Sequence, residues 1–161
     1  MSVDVRPTGD TDREWMARWV AEQWGDVIVV SRGKVHRPDR LPGFAAWRGD
    51  EPVGLATYLI DGDQCELVSI DSRAEGQGIG TALVNAVVDA ALQAGVRRVW
   101  LITTNDNTPA LRFYQNRGFR VVAVHQGAVD ESRKIKPAIP LTGVGGVEIH
   151  DEIELEIILS A

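Results

Sequence analysis

A chain of 161 residues with 17 Lys and Arg against 23 Asp and Glu carries a formal net charge of −6 at pH 7, and 44% of its residues are hydrophobic. At roughly 100–200 residues per domain this predicts a single domain over residues 1–161 with one apolar core, and it argues against wholesale disorder. The acidic balance offers no general attraction to phosphate backbones, so no nucleic-acid partner is expected. No run approaches the roughly 18 apolar residues of a membrane span, and the polar opening Met1–Asp10 does not read as a signal peptide. No membrane association is expected, and the location expected is cytoplasmic. Cys65 is the only cysteine, which leaves no intrachain disulfide and no cysteine-cluster zinc site. His36 and His150 lack a paired ligand spacing, so no metal is expected.

In chain order, Val3–Val5 reads as a short opening strand. Thr11 and Glu14 have the spacing of a capping box, in which each side chain satisfies an orphan N–H at a helix start. The helix after them puts Met16, Trp19 and Val20 on one face. Residues 26–43 are ambiguous, because the β-branched run Asp26–Val30 is soon broken by Ser31–Lys34 and Arg37–Asp39. Phe44–Trp47, Val53–Ile60 and Cys65–Asp71 then read as three strands of an antiparallel meander, with Asp61-Gly62 as a hairpin turn.

After the meander the pattern changes. Gly76, Gly78 and Gly80 lead into a helix predicted over Thr81–Ala94, with Leu83, Val84, Val87, Val88, Ala91 and Leu92 on one face and Gly95 as its stop. Val99–Ile102 is a nearly continuous apolar strand, as expected under helices on both faces. Thr108 reads as a cap before Pro109 at the first helical position, and Gly118 closes that helix. Phe119–Val124 is a further strand, and Glu152–Ile157 alternates as a strand with one wet face. The stretch from Gln126 to Val147 is loop-rich, and a loop that long in a compact domain is functional or disordered. The expected fold is mixed α/β, a partly antiparallel sheet with helices on both faces.

Three glycines at alternate positions between a strand and a helix let successive N–H groups converge without Cβ obstruction, at the positive end of the helix dipole. Such a cradle suits a diphosphate; the plainer alternative is a tight turn. A mononucleotide P-loop needs Gly-Lys-Ser/Thr at its end, and here Gly80 is followed by Thr81 and Ala82. A dinucleotide fingerprint needs a third glycine three residues after the second, where this chain has Thr81.

The succession Glu66–Asp71, Gly76–Leu83 and Asn107–Phe119, with Tyr114 inside the last segment and Gly118-Phe119 closing it, resembles the GNAT superfamily of acyl-CoA-dependent N-acyltransferases. The family's glycine motif is Arg/Gln-x-x-Gly-x-Gly/Ala after its fourth strand. Its later signature is Asn, then Ala or Ser three residues on, then Tyr in the helix, then Gly-Phe. The resemblance covers residues 44–124 well and the ends loosely. One departure stands out: aligned on Gly78 and Gly80, the Arg/Gln position is Glu75. Aligned two residues earlier, Arg73, Gly76 and Gly78 fit the pattern formally, but helix spacing favours the later register, with Gly80 beside the helix start. A carboxylate at Glu75 would weaken diphosphate binding unless it pointed to solvent or paired with Arg73.

The resemblance implies a mostly antiparallel twisted sheet splayed between the fourth and fifth strands, with the cosubstrate acetyl-CoA lying in the gap. Main chain at Leu67, Val68, Ser69 and Ile70 would pair with its pantetheine arm, and the Val68 or Ser69 N–H is a candidate oxyanion donor. Gly76, Gln77, Gly78, Ile79, Gly80 and Thr81 would hold the diphosphate. Asn107, Ala110 and Tyr114 would complete the cofactor side. The reaction implied is direct attack of an amine on the thioester, with proximity supplying much of the acceleration. Tyr114 stands at the family's general-acid position; its alternative is a core aromatic beside Phe113. Asn107 is a cofactor contact or a simple helix cap. Glu66 is the first choice for the base and His125 the second. Cys65 reads as a buried structural thiol, and Ser69 has no nucleophile-elbow context.

By the same resemblance the acceptor site is built by the first helix, residues 26–43 and the stretch 125–152. Trp24, His36, His125 and Asp130 are its candidate residues, for a small-molecule or peptide amine. Arg133, Lys134 and Lys136 read as a solvated loop face. A non-catalytic acyl-CoA-binding or sensory module with the same fold is the alternative reading, and either a monomer or a homodimer through the C-terminal strands is compatible with both.

Overall fold

A single seven-stranded sheet organises the molecule, in the spatial order β1-β4-β5-β6-β7-β9-β8. The strands are β1 (Asp4–Pro7), β4 (Gly43–Arg48), β5 (Glu51–Asp61), β6 (Gln64–Ser72), β7 (Arg98–Thr104), β8 (Arg120–His125) and β9 (Glu152–Ile158). Every neighbouring pair is antiparallel except β6 and β7, which run parallel. The computed structural model describes residues 3–73 and 77–159.

The helices cover both faces, and two apolar clusters mark them. On one face α1 (Arg13–Trp24) sets Met16, Trp19 and Val20 against Ala45, Leu55 and Val68. On the other α2 (Ile79–Gln93) and α3 (Thr108–Gln115) pack Ile79, Leu83, Val87 and Tyr114 against Ala46, Ala56, Leu67 and Leu101. Alternate residues of β4 and β5 thus serve opposite cores, which is the period-two logic of a strand covered on both sides. Gly54 is required here, because a Cβ at that position would stand 2.8 Å from the Ile79 side chain of α2.

Several local expectations are corrected. The Thr11–Glu14 capping box does not form. Asp12 takes over, its carboxylate accepting from the Gly9 N–H at 2.8 Å and from the Trp15 indole N–H at 2.9 Å. The ambiguous residues 26–43 contain a hairpin, β2 (Val29–Ser31) with β3 (Lys34–His36), followed by a short 3₁₀ turn at Pro38–Arg40. Helix α2 starts two residues before Thr81, with Gly78 as its N-cap. Asn107 rather than Thr108 caps α3, its side-chain oxygen accepting from the Ala110 N–H at 3.2 Å.

The supposed loop after Gln126 holds a helix, α4 (Ala128–Ile135), with Asp130 and Glu131 in its first turn and Arg133 and Lys134 in its last. That charge order complements the helix dipole. Strand β9 enters the sheet between β7 and β8, and its carboxylates are buried or paired rather than forming the wet face that alternation suggested. Glu152 is 2% exposed, and Glu154 and Glu156 both pair with the Arg98 guanidinium. No helix among the described residues is long and apolar enough to cross a membrane.

The sheet opens at one place. Strands β6 and β7 share only four register pairs, from Gln64 with Arg98 to Leu67 with Leu101, although β6 runs on to Ser72 and β7 to Thr104. The cause is visible on the other side of β6. Its register with β5 shifts between Thr57 and Tyr58, leaving Val68 as an extra residue without a partner. A bulge of this kind bends the strand and increases its twist, turning the rest of β6 away from β7.

Candidate active site

The splay leaves a groove with three connected parts, and Asn107 lines all of them. The first part, about 610 Å³, lies between the end of β6, the start of α2 and the face of α3. Gly78 adopts φ of +75°, a conformation that L side chains resist. The first intrahelical bond of α2 runs from the Ala82 N–H to the Gly78 carbonyl. The N–H groups of Ile79, Gly80 and Thr81 therefore have no acceptor within the helix. Gly80 is favoured for another reason: a Cβ there would come within 3.1 Å of the Phe113 ring, which would have to shift by a few tenths of an ångström. Gly80 lies inside the first turn rather than beside the helix start, so helix spacing no longer chooses the register. The requirements at Gly78 and Gly80 select it instead. Gly76 and Glu75 lie outside the described residues.

Arg117, which sequence reading passed over, forms one wall of this part. Its guanidinium donates to the Thr81 hydroxyl at 2.6 and 2.9 Å and lies 3.6 Å over the Phe113 ring. The Thr81 hydroxyl is thereby held, while the adjacent N–H groups remain directed along the helix axis. Gln77 turns the other way, its amide oxygen accepting from Arg48 beside Val3 and Val5. Arg73 lies against α1, stacked at 4.7 Å over Trp19 and 3.4 Å from Glu22.

The second part, about 160 Å³, is the splay itself, bounded by Leu67–Asp71, Leu101–Thr103, Asn107, Ala110, Tyr114 and Trp24. Beyond Leu67 the residues of β6 have no register partner on β7, so one main-chain edge is available to another extended chain. The Ser69 hydroxyl is occupied by Thr57 at 2.6 Å, which leaves main chain as this segment's contribution to the groove. Tyr114 is 7% exposed, packed edge-on against Phe113 and Phe119. Burial, and then the charge of Asp71, push its phenol above its ordinary value, so it stays protonated.

Asp71 was not singled out in the sequence. It accepts from the Trp24 indole N–H at 2.7 Å, and burial pushes its carboxyl up to about 6 against that hydrogen bond. Nothing in a lone Asp at a strand end reveals a partner 47 residues away on α1.

The third part, about 240 Å³, opens beneath α4 and is reached past Trp24 and Val68. Glu66, 6% exposed, points into it. The Ser31 hydroxyl donates to Glu66 Oε2 at 2.6 Å and also contacts His36 Nε2 at 3.2 Å, while His36 stands 3.7 Å from Glu66 Oε1. Burial is the main reason the Glu66 carboxyl lies above its usual range; Ser31 and Lys34 oppose this, and Glu152 and Glu154 add to it. Burial, then the charge of Lys34, lowers His36, which favours the neutral ring. Glu152 joins the same wall, receiving the Arg32 N–H at 3.2 Å.

Lys136 is not solvated. It is 6% exposed, its ammonium donating to the carbonyls of Trp24 at 3.1 Å and Ile28 at 2.8 Å. Arg133 likewise holds the carbonyls of Pro140 and Ile149, at 2.5 and 2.6 Å.

The four acceptor-side candidates divide. Trp24 stands between the second and third parts. His36 sits behind Ser31 and lines neither. His125 lies on β8, paired with Glu154 at 2.8 Å, and lines none of the groove. Asp130 is on the outer side of α4, bonded to Arg133 and to His150. Among the described residues no three His, Cys, Asp or Glu side chains are grouped to hold a metal ion. Cys65 is buried, and its thiol is pushed up to about 12 by burial and then by Glu66.

This architecture recurs in known proteins. The chain is 41% identical to the uncharacterized protein YdhI of Bacillus subtilis strain 168, over 92% of this chain and 94% of that one. It is 36% identical to YxbD of the same organism, over 95% and 97%. An acetyltransferase of Bacillus subtilis solved in complex with CoA superposes with a TM-score of 0.71 at 18% identity, covering 99% of this chain and all of that one. The family model for the acetyltransferase (GNAT) family matches residues 7–119. The bulged, splayed strand and the glycine-capped helix beside it are thus those of a GNAT acetyltransferase, and the chain belongs to that family.

Proposed function

We propose that this protein moves an acetyl group from acetyl-CoA to a primary amine, with both substrates held together in the groove. The observation that carries this reading is the four-pair limit of the β6–β7 ladder directly beside the uncapped N–H groups of α2. One offers an extended chain a free strand edge, and the other offers an anion a set of donors at a positive helix end. A thioester carrier with a diphosphate at one end and an amide-bearing arm at the other fits both. The Ile79, Gly80 and Thr81 N–H groups take the diphosphate, main chain at Leu67–Ile70 takes the arm, and Asn107, Ala110 and Tyr114 close the other wall. When bound, acetyl-CoA supplies an acyl carbon open to attack by an amine nitrogen.

The residues of the chain divide the proton work. Glu66 accepts a proton from the arriving ammonium, freeing the nitrogen lone pair; its raised affinity for protons suits that task near neutral pH. Ser31 fixes Oε2 of the carboxylate, and Oε1 has no hydrogen-bond donor among the described residues. The Val68 N–H, with no register partner on either neighbouring strand, is the donor available to a developing oxyanion. Tyr114 gives its phenolic proton to the departing sulfur and regains one from the acylated nitrogen. Holding both reactants in one groove supplies orientation that solution lacks.

The test is calorimetric titration with CoA, followed by thiol-release assays with acetyl-CoA and a panel of amines. Micromolar binding and amine-dependent release are expected. Binding without release from any amine would assign a non-catalytic acyl-CoA-binding module instead, and no binding heat would remove the reading altogether.

A further inference from the structure

The third part of the groove carries a rule about what can enter it. Among the described residues three charged side chains line it, Glu66, Glu152 and Lys136, so with both carboxylates ionised the lining itself carries a formal charge of −1, with the Arg32 guanidinium beside Glu152. The cation is already engaged, with two of its three N–H bonds given to the Trp24 and Ile28 carbonyls. The carboxylates are not saturated. Glu152 receives the Arg32 N–H at 3.2 and 3.3 Å and Arg32 Nη1 at 3.4 Å. Glu66, more than nine-tenths buried, has Ser31 on Oε2, whereas His36 stands 3.7 Å from Oε1, beyond hydrogen-bond distance. Oε1 is therefore open to a donor from the groove, a place that water or a ligand ammonium can take.

The rest of the wall is mostly apolar, with Trp24, Val29, Val68, Ile102, Val129 and Ile149 among its residues, and Thr103, Asn107 and Ser132 add a few neutral polar groups. The cavity is about 240 Å³, room for about eight waters at roughly 30 Å³ each. From this charge, this wall and this size, and resting on the acetyltransferase reading above, we propose that the acceptor is a small primary monoamine with an apolar body and no carboxylate, an alkylamine or arylalkylamine. Its ammonium is received by Glu66 and Glu152, and its body lies along the apolar wall and the Trp24 ring. An amino acid would bring a third anion to a site that already holds two. A polyamine would bury a second ammonium where the lining has no further carboxylate. A peptide would have to reach out of this part of the groove past its largely apolar wall.

The experiment compares kcat/KM with acetyl-CoA for phenethylamine, isoamylamine, phenylalanine, spermidine and a tripeptide, alongside calorimetry with CoA. The two monoamines are expected to exceed the other three by at least about 100-fold, the ratio that one uncompensated buried charge sets. Glu152→Gln, nearly isosteric, is expected to raise the KM for phenethylamine tenfold or more while the CoA Kd stays unchanged. A melting curve checks that this variant is folded, and the wild-type panel decides the matter if it is not. CoA binding with phenylalanine, spermidine or the tripeptide as the better acceptor overturns the monoamine assignment and leaves the acetyltransferase reading intact. CoA binding with no monoamine turnover also overturns it. Loss of CoA binding itself strikes the earlier reading instead.

Discussion

The two ends of the groove are built by different means. The end beside α2 is made of main chain: a glycine at positive φ, three helix N–H groups and a bulged strand edge. The end beneath α4 is made of side chains, with Ser31 from β2, Glu66 from β6, Glu152 from β9 and Lys136 just after α4 meeting across more than 100 residues of sequence. A main-chain site is specified by backbone conformation and tolerates changes of side chain around it. A side-chain site is rebuilt whenever one contributor changes. The first suits a cosubstrate shared by a whole family, and the second suits an acceptor that differs from member to member.

Substitutions at the reacting centre break that contrast hardest, because they leave both ends in place. Tyr114→Phe is expected to lower kcat by 10²–10⁴, the usual worth of general acid–base catalysis, with the CoA Kd unchanged by calorimetry. The buried phenol stays protonated, so it adds no limb to the wild-type pH profile near neutrality. A loss in CoA affinity as large as the loss in kcat would make Tyr114 a packing residue only.

Glu66→Gln is expected to cost about as much, and its pH profile separates it from Tyr114. The carboxyl lies above its ordinary range, chiefly through burial, so wild-type kcat/KM rises with pH as Glu66 loses its proton. That acid limb should vanish in the variant, leaving only the limb of the free amine. Unchanged profiles would move the base elsewhere.

Asp71 tests the junction between the two ends. Its carboxyl titrates near 6 when folded, above the ordinary 3.8, so the folded state holds the proton more tightly. Stability is therefore greatest below the unfolded value and falls as pH rises through about 4 to 6. The loss amounts to roughly 1–3 kcal/mol once partial exposure is allowed for. Asp71→Asn keeps an acceptor for the Trp24 indole and should remove that loss. Denaturant midpoints at pH 4 and pH 7 for both proteins measure it, and parallel pH dependences in the two would show that Asp71 does not contribute.

The same contrast explains what the sequence revealed. Strands β4–β6, helix α2 and the glycine cap are local signals, readable from alternation, a 3.6-residue period and turn residues, and the structure moves their ends by only a few residues. The splay was legible only through family resemblance, since nothing in Thr57 or Val68 announces a bulge. The acceptor end was mostly hidden. Helix α4 is short and amphipathic in a Gly- and Pro-rich stretch, and its two i,i+3 ion pairs, Asp130–Arg133 and Glu131–Lys134, were its one local signal. The alternating Glu residues of β9 suggested a solvated face because alternation does not say what lies opposite. Arg98, His125 and Arg32 lie there, and they are 29 to 120 residues away from the carboxylates they pair with.

The smallest expected effect is also the cleanest discriminator between the two ends. At Gly78 an added Cβ meets none of the described residues within 4 Å, so among them Gly78→Ala is opposed only by its φ of +75°. That strain is worth about 1 kcal/mol. It falls on the residue that aims the Ile79, Gly80 and Thr81 N–H groups, so either the fold loses about that much stability or the cap relaxes and CoA affinity drops about fivefold, a factor of the same energy. Neither route touches Glu66, Glu152 or Trp24. The ratio of kcat/KM between any two amines should therefore match the wild type, even as kcat/KM measured against acetyl-CoA falls. A changed ratio would mean that the backbone of the glycine cap also shapes the acceptor pocket, and that the two ends are not independently built.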